Sequence, residues 1–253
     1  MRFNHRTGYR YLRGADSRKK DGPLPPTPNL SSNASAPAAT EQSVINLIEA
    51  LRVCGGSCSY PSGAGLFHQG DRASEVFFLE AGLVKLVCSG ENGRELIADI
   101  RFAGSLIGLS AVIRKQPHPI TATTASHCRL RRIPEDQFLA LLLEDAELNS
   151  SVHQILSGEI ISQAVRIGEI ACLTARQRLE NFIWRITQHG DPSQQNRSQL
   201  QLPLRQWEVA QFLGITPGYL CRLLDELEAE EIIHRKNGWI VVPRHNNLCR
   251  WAT

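Results

Sequence analysis

Cysteines are the residues of this 253-residue chain with the clearest capacity for chemistry, and there are seven of them. Cys54 and Cys58 lie close together, and Cys88 and Cys128 follow at longer intervals. Four thiolates can in principle hold zinc or an iron cluster. Cys128, however, stands in an apolar strand-like run, where a buried cysteine behaves as a small hydrophobe. We therefore predict no metal site and keep a thiol switch at Cys54 and Cys58 as an alternative.

The other residues do not suggest an enzyme. We find no nucleophile paired with a general base and no glycine-rich loop that would hold phosphate in front of a helix. The sequence therefore predicts no catalytic residues and no cofactor. A small-molecule effector of unknown identity is compatible with this prediction.

The stretch from residue 206 to residue 242 has the apolar spacing of a winged helix-turn-helix. Gly214 falls where the chain needs a positive φ angle to turn after the first helix. Thr216 can cap the second helix and Pro217 suits its first position. The buried face of that helix is predicted to be Leu220, Leu223, Leu224 and Leu227. Asn237 and Gly238 predict the hairpin of a wing.

The exposed start of the second helix is predicted to read base edges in a major groove. The candidate DNA contacts are Thr216, Pro217, Gly218, Tyr219, Cys221 and Arg222, with Lys236 on the wing. The net charge of this region does not support DNA binding, because residues 203–253 carry six Arg or Lys and six Asp or Glu. An alternative role for Arg222 is an ion pair with Asp225 or Glu226.

The segments before this motif would have to position it. Residues 1–40 begin with a basic arm and continue rich in Pro, Ser, Ala and Asn, a composition typical of disorder. Thr40 can cap a short apolar helix. From residue 60 to residue 133, short apolar runs separated by Gly82, Gly93 and Gly104 predict an antiparallel barrel or jelly roll. Asn92 and Gly93 predict one of its hairpin turns.

A long helix is predicted over residues 151–171. Its seam of small and apolar residues is narrow, which suits pairing with the same helix of a second copy. The seam consists of Leu156, Ile160, Ala164, Ile167 and Ala171. Packing of the seam against the barrel of its own chain is the alternative. Thr174 and Gln177 then have the spacing of a capping box that starts the next helix.

Composition places the chain among ordinary globular proteins. It carries 28 Lys and Arg against 25 Asp and Glu and is 42% hydrophobic. An odd number of cysteines without a small-domain framework indicates a reducing compartment, so we expect a cytoplasmic protein. No apolar run approaches the length of a membrane span, and no apolar segment follows the basic start, so we predict neither a membrane helix nor a signal peptide.

Several motifs, in order, resemble the cyclic-AMP receptor protein / fumarate-nitrate regulator (CRP/FNR) superfamily of bacterial transcription factors. They are YPSGAGLFHQGD (60–71), FFLEAGLVKLV (77–87), GSLIGLSAV (104–112), TATTASHCRLRRIPEDQF (121–138), LTARQRLENFI (173–183) and the helix-turn-helix. The resemblance covers residues 41–245. It implies an α+β fold with a cyclic-nucleotide-binding-like jelly roll (41–150), a dimerisation helix (151–173) and a winged helix-turn-helix (174–253). It also implies a homodimer on two-fold double-stranded DNA, with RNA polymerase as a further candidate partner.

The effector pocket implied by the resemblance is degenerate. Its residues would be Gly108, Leu109, Ser110, His118, Pro119 and Thr121. Members that bind cyclic nucleotides carry an acid for the ribose and an Arg-Ser/Thr pair for the phosphate. Leu109 and His118-Pro119 stand at those places, and leucine cannot accept a hydrogen bond while proline has no N–H. We therefore expect no tight binding of cyclic AMP or cyclic GMP, and we expect His118 to be an exposed loop residue.

Two further departures from the family concern its cluster and its DNA contacts. The spacing of Cys54 and Cys58 is not that of the members that hold an iron–sulfur cluster. Pro217 and Gly218 replace a basic residue and a glutamate found in many relatives, whereas Arg222 matches the base-reading arginine. The sequence therefore predicts neither the operator, nor the effector, nor activation as opposed to repression.

Three kinds of function are compatible with these residues. A DNA-binding transcription regulator is the preferred interpretation. The second is a redox-sensing regulator that uses thiols or a metal, and the third is a ligand-binding barrel for protein interaction with a degenerate DNA domain.

Overall fold

The computed structural model describes residues 50–51, 55–90, 93, 95–189, 199–237 and 239–243. All of them belong to one compact unit, residues 31–253. The predictions for residues 1–40, for Thr40 and for Cys54, Asn92 and Gly238 lie outside the described residues. Of the helix predicted after Thr40, only Ala50 and Leu51 are described, and both are helical.

Eight strands form two antiparallel sheets that face each other, which confirms the predicted jelly roll. The strands are β1 (Gly56–Tyr60), β2 (Gly65–Phe67), β3 (Glu75–Ala81), β4 (Val84–Ser89), β5 (Glu95–Arg101), β6 (Leu106–Ile107), β7 (Thr121–Thr124) and β8 (Cys128–Pro134). One sheet has the order β1-β8-β3-β6 and the other has the order β2-β7-β4-β5. Inward-facing apolar residues from both sheets fill the space between them.

Gly82 shows why a glycine separates β3 from β4. Its φ is +96°, a region that other residues rarely adopt. A Cβ atom there would lie 2.5 Å from the His127 carbonyl oxygen and 2.7 Å from the Cys128 Sγ. The tight connection therefore needs glycine both for backbone freedom and for space.

Helix α1 (Leu109–Arg114) lies between β6 and β7, whereas α2 (Glu135–Glu144) and α3 (Ala146–Cys172) follow the last strand of the barrel. The long helix α3 begins five residues earlier than the predicted start at Ser151. Asp145 explains the difference, because its side chain accepts hydrogen bonds from the amides of Glu147 and Leu148, each at 2.9 Å. This is a regular N-terminal cap.

The C-terminal part contains α4 (Ala175–His189), β9 (Gln199–Gln201), α5 (Gln206–Leu213), α6 (Pro217–Ala229), β10 (His234–Lys236) and β11 (Trp239–Pro243). The predicted capping box is present: the Thr174 amide donates to Gln177 Oε1 at 3.0 Å, and the Gln177 amide donates to Thr174 Oγ1 at 3.3 Å. A three-stranded sheet of order β10-β11-β9 forms the wing.

The C-terminal helices pack directly on the β4–β5 side of the barrel. Leu83, Val87, Ile97 and Ile100 of the barrel share one hydrophobic core with residues of α4, α5 and α6. A buried ion pair joins the same surfaces, with Lys85 Nζ 2.5 Å from Glu208 Oε1. In the described ranges, no helix has both the length and the apolar character that a membrane crossing requires.

Candidate functional site

The turn between α5 and α6 has the geometry that the sequence predicts. Gly214 has a φ of +68° and ends α5. The Thr216 hydroxyl accepts a hydrogen bond from the Tyr219 amide at 3.3 Å, and Pro217 occupies the first position of α6. These local signals fix where α6 begins and how it leaves the turn.

Helix α6 is buried on one side and open on the other. Leu220, Leu223, Leu224 and Leu227 are at most 3% exposed. The predicted DNA contacts on this helix all lie on the exposed side: Thr216, Pro217, Gly218, Tyr219, Cys221 and Arg222. The start of α6 is therefore available to a groove of DNA without any rearrangement of its own packing.

Arg222 does not make the ion pair that we weighed as an alternative. Asp225 instead contacts Arg235 Nη2 at 2.6 Å, and Glu226 contacts Arg176 Nη1 at 3.4 Å. The Arg222 guanidinium lies 5.3 Å from the centre of the Tyr219 ring, a cation–π distance. Both side chains stay on the exposed surface.

The wing is fastened to α6 by Arg235. Its guanidinium donates to Glu228 at 2.7 Å and also contacts Asp225. Hydrogen bonding to Glu228 raises the pKa of Arg235, and hydrogen bonds from Arg235 lower the pKa of Glu228. Arg235 therefore holds the wing against α6, whereas the side chain of the next residue, Lys236, is exposed.

The barrel contains a cavity of about 70 Å³ at the predicted effector position. Gly108, Leu109, Ser110, His118 and Pro119 all line it, so the structure brings together five of the six predicted residues. Thr121 is the exception and does not line this cavity. Its hydroxyl accepts a hydrogen bond from the Gln69 amide at 3.0 Å, and the neighbouring Ile120 lines the cavity instead.

His118 is buried, at 4% exposure, which corrects the expectation of an exposed loop residue. Its ring stacks on Phe67 with 3.6 Å between ring centroids and 8° between planes. The backbone holds it there, because the His118 amide donates to the Asp71 carbonyl at 2.9 Å. Burial lowers the pKa of His118, and the charge of Asp71 opposes this only in part. The imidazole is therefore neutral at pH 7.

Arg101 and Glu159 form the polar edge of this cavity, and we did not predict either. Arg101 Nη1 lies 2.7 Å from Glu159 Oε1 on α3, and Arg101 Nε lies 3.3 Å from Asp99 Oδ2. Gln163 of α3 donates to the same Asp99 oxygen at 2.7 Å. Burial raises the pKa of Glu159, while Arg101 acts in the opposite direction. The network ties the cavity to the long helix.

The predicted seam of α3 faces away from the barrel. Ile160 and Ile167 are 70% and 69% exposed, and Ala164 and Ala171 are exposed as well. Leu156 is half-buried and packs partly against the core of the barrel. The opposite side of the helix, with Leu148, Val152 and Ile155, is buried against that core. The alternative in which the seam packs on its own barrel is therefore wrong.

The three described cysteines of the candidate thiol set do not converge. Cys58 lies on β1 and Cys88 on β4, which belong to different sheets. Cys128 is buried and its Sγ donates to the Leu83 carbonyl at 3.1 Å. Within the described ranges, no three His, Cys, Asp or Glu side chains are grouped as metal ligands. The described positions therefore do not form the ligand set of four thiolates that the sequence raised.

Comparison with protein-family models matches both halves of the chain. Residues 57–145 match the cyclic nucleotide-binding domain, and residues 177–251 match the Crp-like helix-turn-helix domain. The chain belongs to the CRP/FNR family of transcription regulators. CRP/FNR proteins are DNA-binding regulators and not enzymes, which confirms the predicted class.

Individual CRP/FNR relatives are similar over most of their length. The fumarate and nitrate reduction regulatory protein of Yersinia pestis is 25% identical over 190 residues, which cover 75% of this chain and 76% of the relative. The anaerobic regulatory protein of Aggregatibacter actinomycetemcomitans is 24% identical over 183 residues, or 72% and 70% of the two chains.

Solved CRP/FNR structures share the fold. A CRP/FNR regulator from Thermus thermophilus superposes with a TM-score of 0.64 at 22% identity, covering 78% of this chain and 98% of the other. The cyclic-di-GMP-responsive regulator CLP of Xanthomonas campestris gives a TM-score of 0.62 at 20% identity, covering 79% and 99%. These similarities support the fold, with its barrel, its long helix and its winged helix-turn-helix.

Phe67, Arg101 and Glu159 are among the residues of this CRP/FNR pocket that sequence reasoning missed. Phe67 lies within the motif YPSGAGLFHQGD, but nothing in the motif indicates that its ring stacks on His118. Arg101 and Glu159 come from β5 and α3, far apart in the sequence. Their pairing follows only from the docking of α3 on the barrel.

Proposed function

We propose that the protein acts as a homodimer that binds a two-fold operator and responds to an effector other than cyclic AMP or cyclic GMP. The observation that carries the DNA part is the exposed start of α6, where a capped helix presents Tyr219 and Arg222 beside a braced wing. A helix of this kind enters a major groove with its N-terminal residues on base edges. In this function the protein works in the cytoplasm, and RNA polymerase is a further partner.

The exposed seam of α3 supports the homodimer. Large apolar side chains such as Ile160 and Ile167 are seldom this exposed along one helix face of a monomer. Two copies of the chain related by a two-fold axis would bury this face of α3 against the same face of the partner. A two-fold dimer would place two copies of α6 about one DNA turn apart, roughly 34 Å.

The His118–Phe67 stack supports an effector other than a cyclic nucleotide. A neutral, stacked imidazole offers neither the charge nor the forked donors with which arginine binds a phosphate. Leu109 is 2% exposed and cannot accept a hydrogen bond from a ribose hydroxyl. Arg101 is already engaged by two carboxylates, Asp99 and Glu159. A cyclic nucleotide would therefore meet an apolar side chain where its ribose needs a hydrogen-bond acceptor, and a neutral imidazole where its phosphate needs a cation.

The size of the cavity supports the same conclusion. Its volume of about 70 Å³ is well below the roughly 300–1,000 Å³ of pockets that bind drug-sized ligands. A molecule of a few heavy atoms fits it as it stands. Apolar side chains such as Phe67, Leu86, Leu106 and Ile107 form one part of its wall, and polar groups form a comparable part.

The thiol alternative involves Cys54 and Cys58, of which only Cys58 is described. Cys58 is half-buried on β1, with its Sγ 3.9 Å from the Gly56 carbonyl oxygen. Thiol titration and metal analysis of protein purified without oxygen separate this alternative from a small-molecule effector. Stoichiometric iron or zinc, or a reversible loss of thiols coupled to loss of DNA binding, would establish it.

Two experiments test the proposed function. Selection of bound fragments from the source genome, followed by affinity measurements at two salt concentrations, should yield a two-fold sequence bound more tightly than scrambled DNA. Calorimetry with millimolar cyclic AMP or cyclic GMP should show no heat beyond dilution. Absence of any sequence preference would refute the regulator, and micromolar affinity for either nucleotide would refute the effector assignment.

A further inference from the structure

Three arginines meet at the junction of α3, α4 and α5, away from the effector pocket and from the exposed face of α6. Arg166 of α3 and Arg178 and Arg185 of α4 line one small recess. Its remaining wall is formed by Glu169, Ile170, Phe182, Phe212 and Leu213. Arg178 and Arg185 are seven positions apart on α4, two helical turns, so they lie on one face with Phe182 between them.

The positive charge in this recess exceeds the negative charge. Three guanidinium groups face one carboxylate, that of Glu169, whose Oε1 accepts a hydrogen bond from Asn181 at 3.3 Å. Among the described residues, no carboxylate lies within 4.0 Å of Arg166, Arg178 or Arg185. Guanidinium groups that are partly withdrawn from water normally have an anionic partner.

One donor in the recess is buried and lacks an acceptor. Arg178 donates through Nη1 to the Leu173 carbonyl at 2.8 Å, but its Nε is buried with no hydrogen-bond partner. A buried N–H without an acceptor is destabilising, and more so when the donor is charged. An acceptor that enters the recess would satisfy this group.

Arg166 is placed by apolar and backbone contacts. Its guanidinium lies 3.6 Å from the centre of the Phe212 ring, and its Nη2 donates to the Phe212 carbonyl at 2.8 Å. Burial lowers the pKa of Arg166. The charges of Asp99 and Glu169 act in the opposite direction, and the charge of Arg185 acts in the same direction as burial. The stack holds one edge of the guanidinium in place while like charges oppose each other across the recess.

We propose that this junction binds a phosphate-class oxyanion between Arg166, Arg178 and Arg185. Tetrahedral oxyanions match the forked donors of arginine and would neutralise the excess charge. The cavity proper holds about 10 Å³, room for one oxygen-sized group, and Ile170 at its wall is 56% exposed, so the rest of the anion would remain toward solvent. Bound there, the anion would join the long helix to the first two helices of the DNA-binding part.

Thermal unfolding of the full chain without DNA tests the site with inorganic phosphate as the probe. At constant ionic strength and pH 7.5, 20 mM phosphate in place of chloride should raise the Tm by about 2–6 °C. Arg185→Gln should lose most of this shift, because it removes one of the three cations of the site. The variant should still fold, since Arg185 makes no hydrogen bond or ion pair with the described residues. Arg114→Gln, an exposed change on the barrel, should keep the full shift.

A second measurement identifies the source of the oxyanion, which could be free phosphate or a phosphate of the DNA backbone. If the group belongs to DNA, Arg185→Gln should reduce the salt slope of DNA binding by about one per contact, and free phosphate should give no Tm shift. A Tm shift that Arg185→Gln leaves intact, or the absence of both effects, would overturn the site. The Tm assay needs no operator, so its failure is distinct from failure of the regulator function.

Discussion

Lys85 on β4 and Glu208 on α5 form an ion pair of 2.5 Å that joins the barrel to the helix-turn-helix. Their side chains are only 20% and 8% exposed, so water screens the pair weakly. Glu208 Oε2 also accepts a hydrogen bond from the Arg205 amide at 2.8 Å. Gln211, one turn further along α5, donates to the Glu95 carbonyl of β5. An ion pair and a hydrogen bond therefore join α5 to the barrel, in addition to the hydrophobic core that they share.

Removal of Lys85 alone should be strongly destabilising. Lys85→Met leaves the Glu208 carboxylate buried without a counter-charge, a change that typically costs about 3–5 kcal/mol. Lys85→Met with Glu208→Gln should recover most of that loss, because the glutamine oxygen still accepts from Arg205. Urea unfolding measures both, with Lys115→Met, an exposed lysine, as the control. Equal stability of Lys85→Met and Lys115→Met would show that the pair contributes nothing.

His118 should make stability depend on pH. Burial holds its folded pKa below the ordinary value of about 6.5, so the unfolded chain binds more protons just below that pH. The free energy of unfolding should therefore fall as pH drops through about 6.5, by at most about 1.4 kcal/mol per pH unit for one proton, and level off below the folded pKa.

Variants at two histidines isolate this contribution. His118→Phe keeps a ring against Phe67 but cannot titrate, so urea unfolding at pH 7.5, 6.5 and 5.5 should show a shallower decline than the wild type. His127→Phe, at an exposed histidine, should retain the wild-type slope. If both variants keep that slope, protonation of another group causes the decline.

Charge placed in the seam of α3 should produce monomers. Ile160→Asp with Ile167→Asp would bury unpaired carboxylates between two copies of the helix. Sedimentation at micromolar concentration should show a dimer for the wild type and a monomer for the double variant. Ile161→Asp changes the same residue type about 100° around the helix, where it should leave the dimer intact. A monomeric wild type would contradict the assembly.

Local signals in the sequence were sufficient for the turns and caps, but long-range contacts were not predictable. Gly214, Thr216 and Pro217 encode the bend and the start of α6 within four residues, because φ freedom, a hydroxyl acceptor and a fixed φ act on the nearest backbone. The position of His118 depends on Phe67, which comes from a different part of the barrel. A loop histidine before a proline carries no signal of burial, so its predicted exposure was wrong.

The ion pairs of the site show the same limit. Asp225 and Glu226 have the spacing to pair with Arg222, yet they contact Arg235 and Arg176. Spacing along a helix predicts which neighbours are within reach. Spacing along α6 carries no information about the wing or α4, whose arginines pair with Asp225 and Glu226. Arg222 is therefore left without either carboxylate.

Substitution of Arg222 by alanine distinguishes base reading from backbone contact. Arg222 is exposed near the start of α6, next to the Tyr219 ring, and neither Asp225 nor Glu226 engages it. If it makes a bidentate contact to guanine, the change should cost about 1–3 kcal/mol per half-site and relax preference at one symmetric base pair. If it contacts only phosphate, affinity should fall equally on every sequence, and the salt slope should drop by about one per contact.

Competition binding on operator and scrambled DNA at two salt concentrations separates these outcomes, and we expect the first. The guanidinium projects from the exposed side of a helix whose N-terminal turn is the part that approaches base edges. Arg72→Ala, an exposed change on the barrel, serves as the control for general loss of positive charge. Unchanged affinity of Arg222→Ala on both DNAs would remove Arg222 from the DNA-binding surface and leave Tyr219 and Lys236 as its principal candidates.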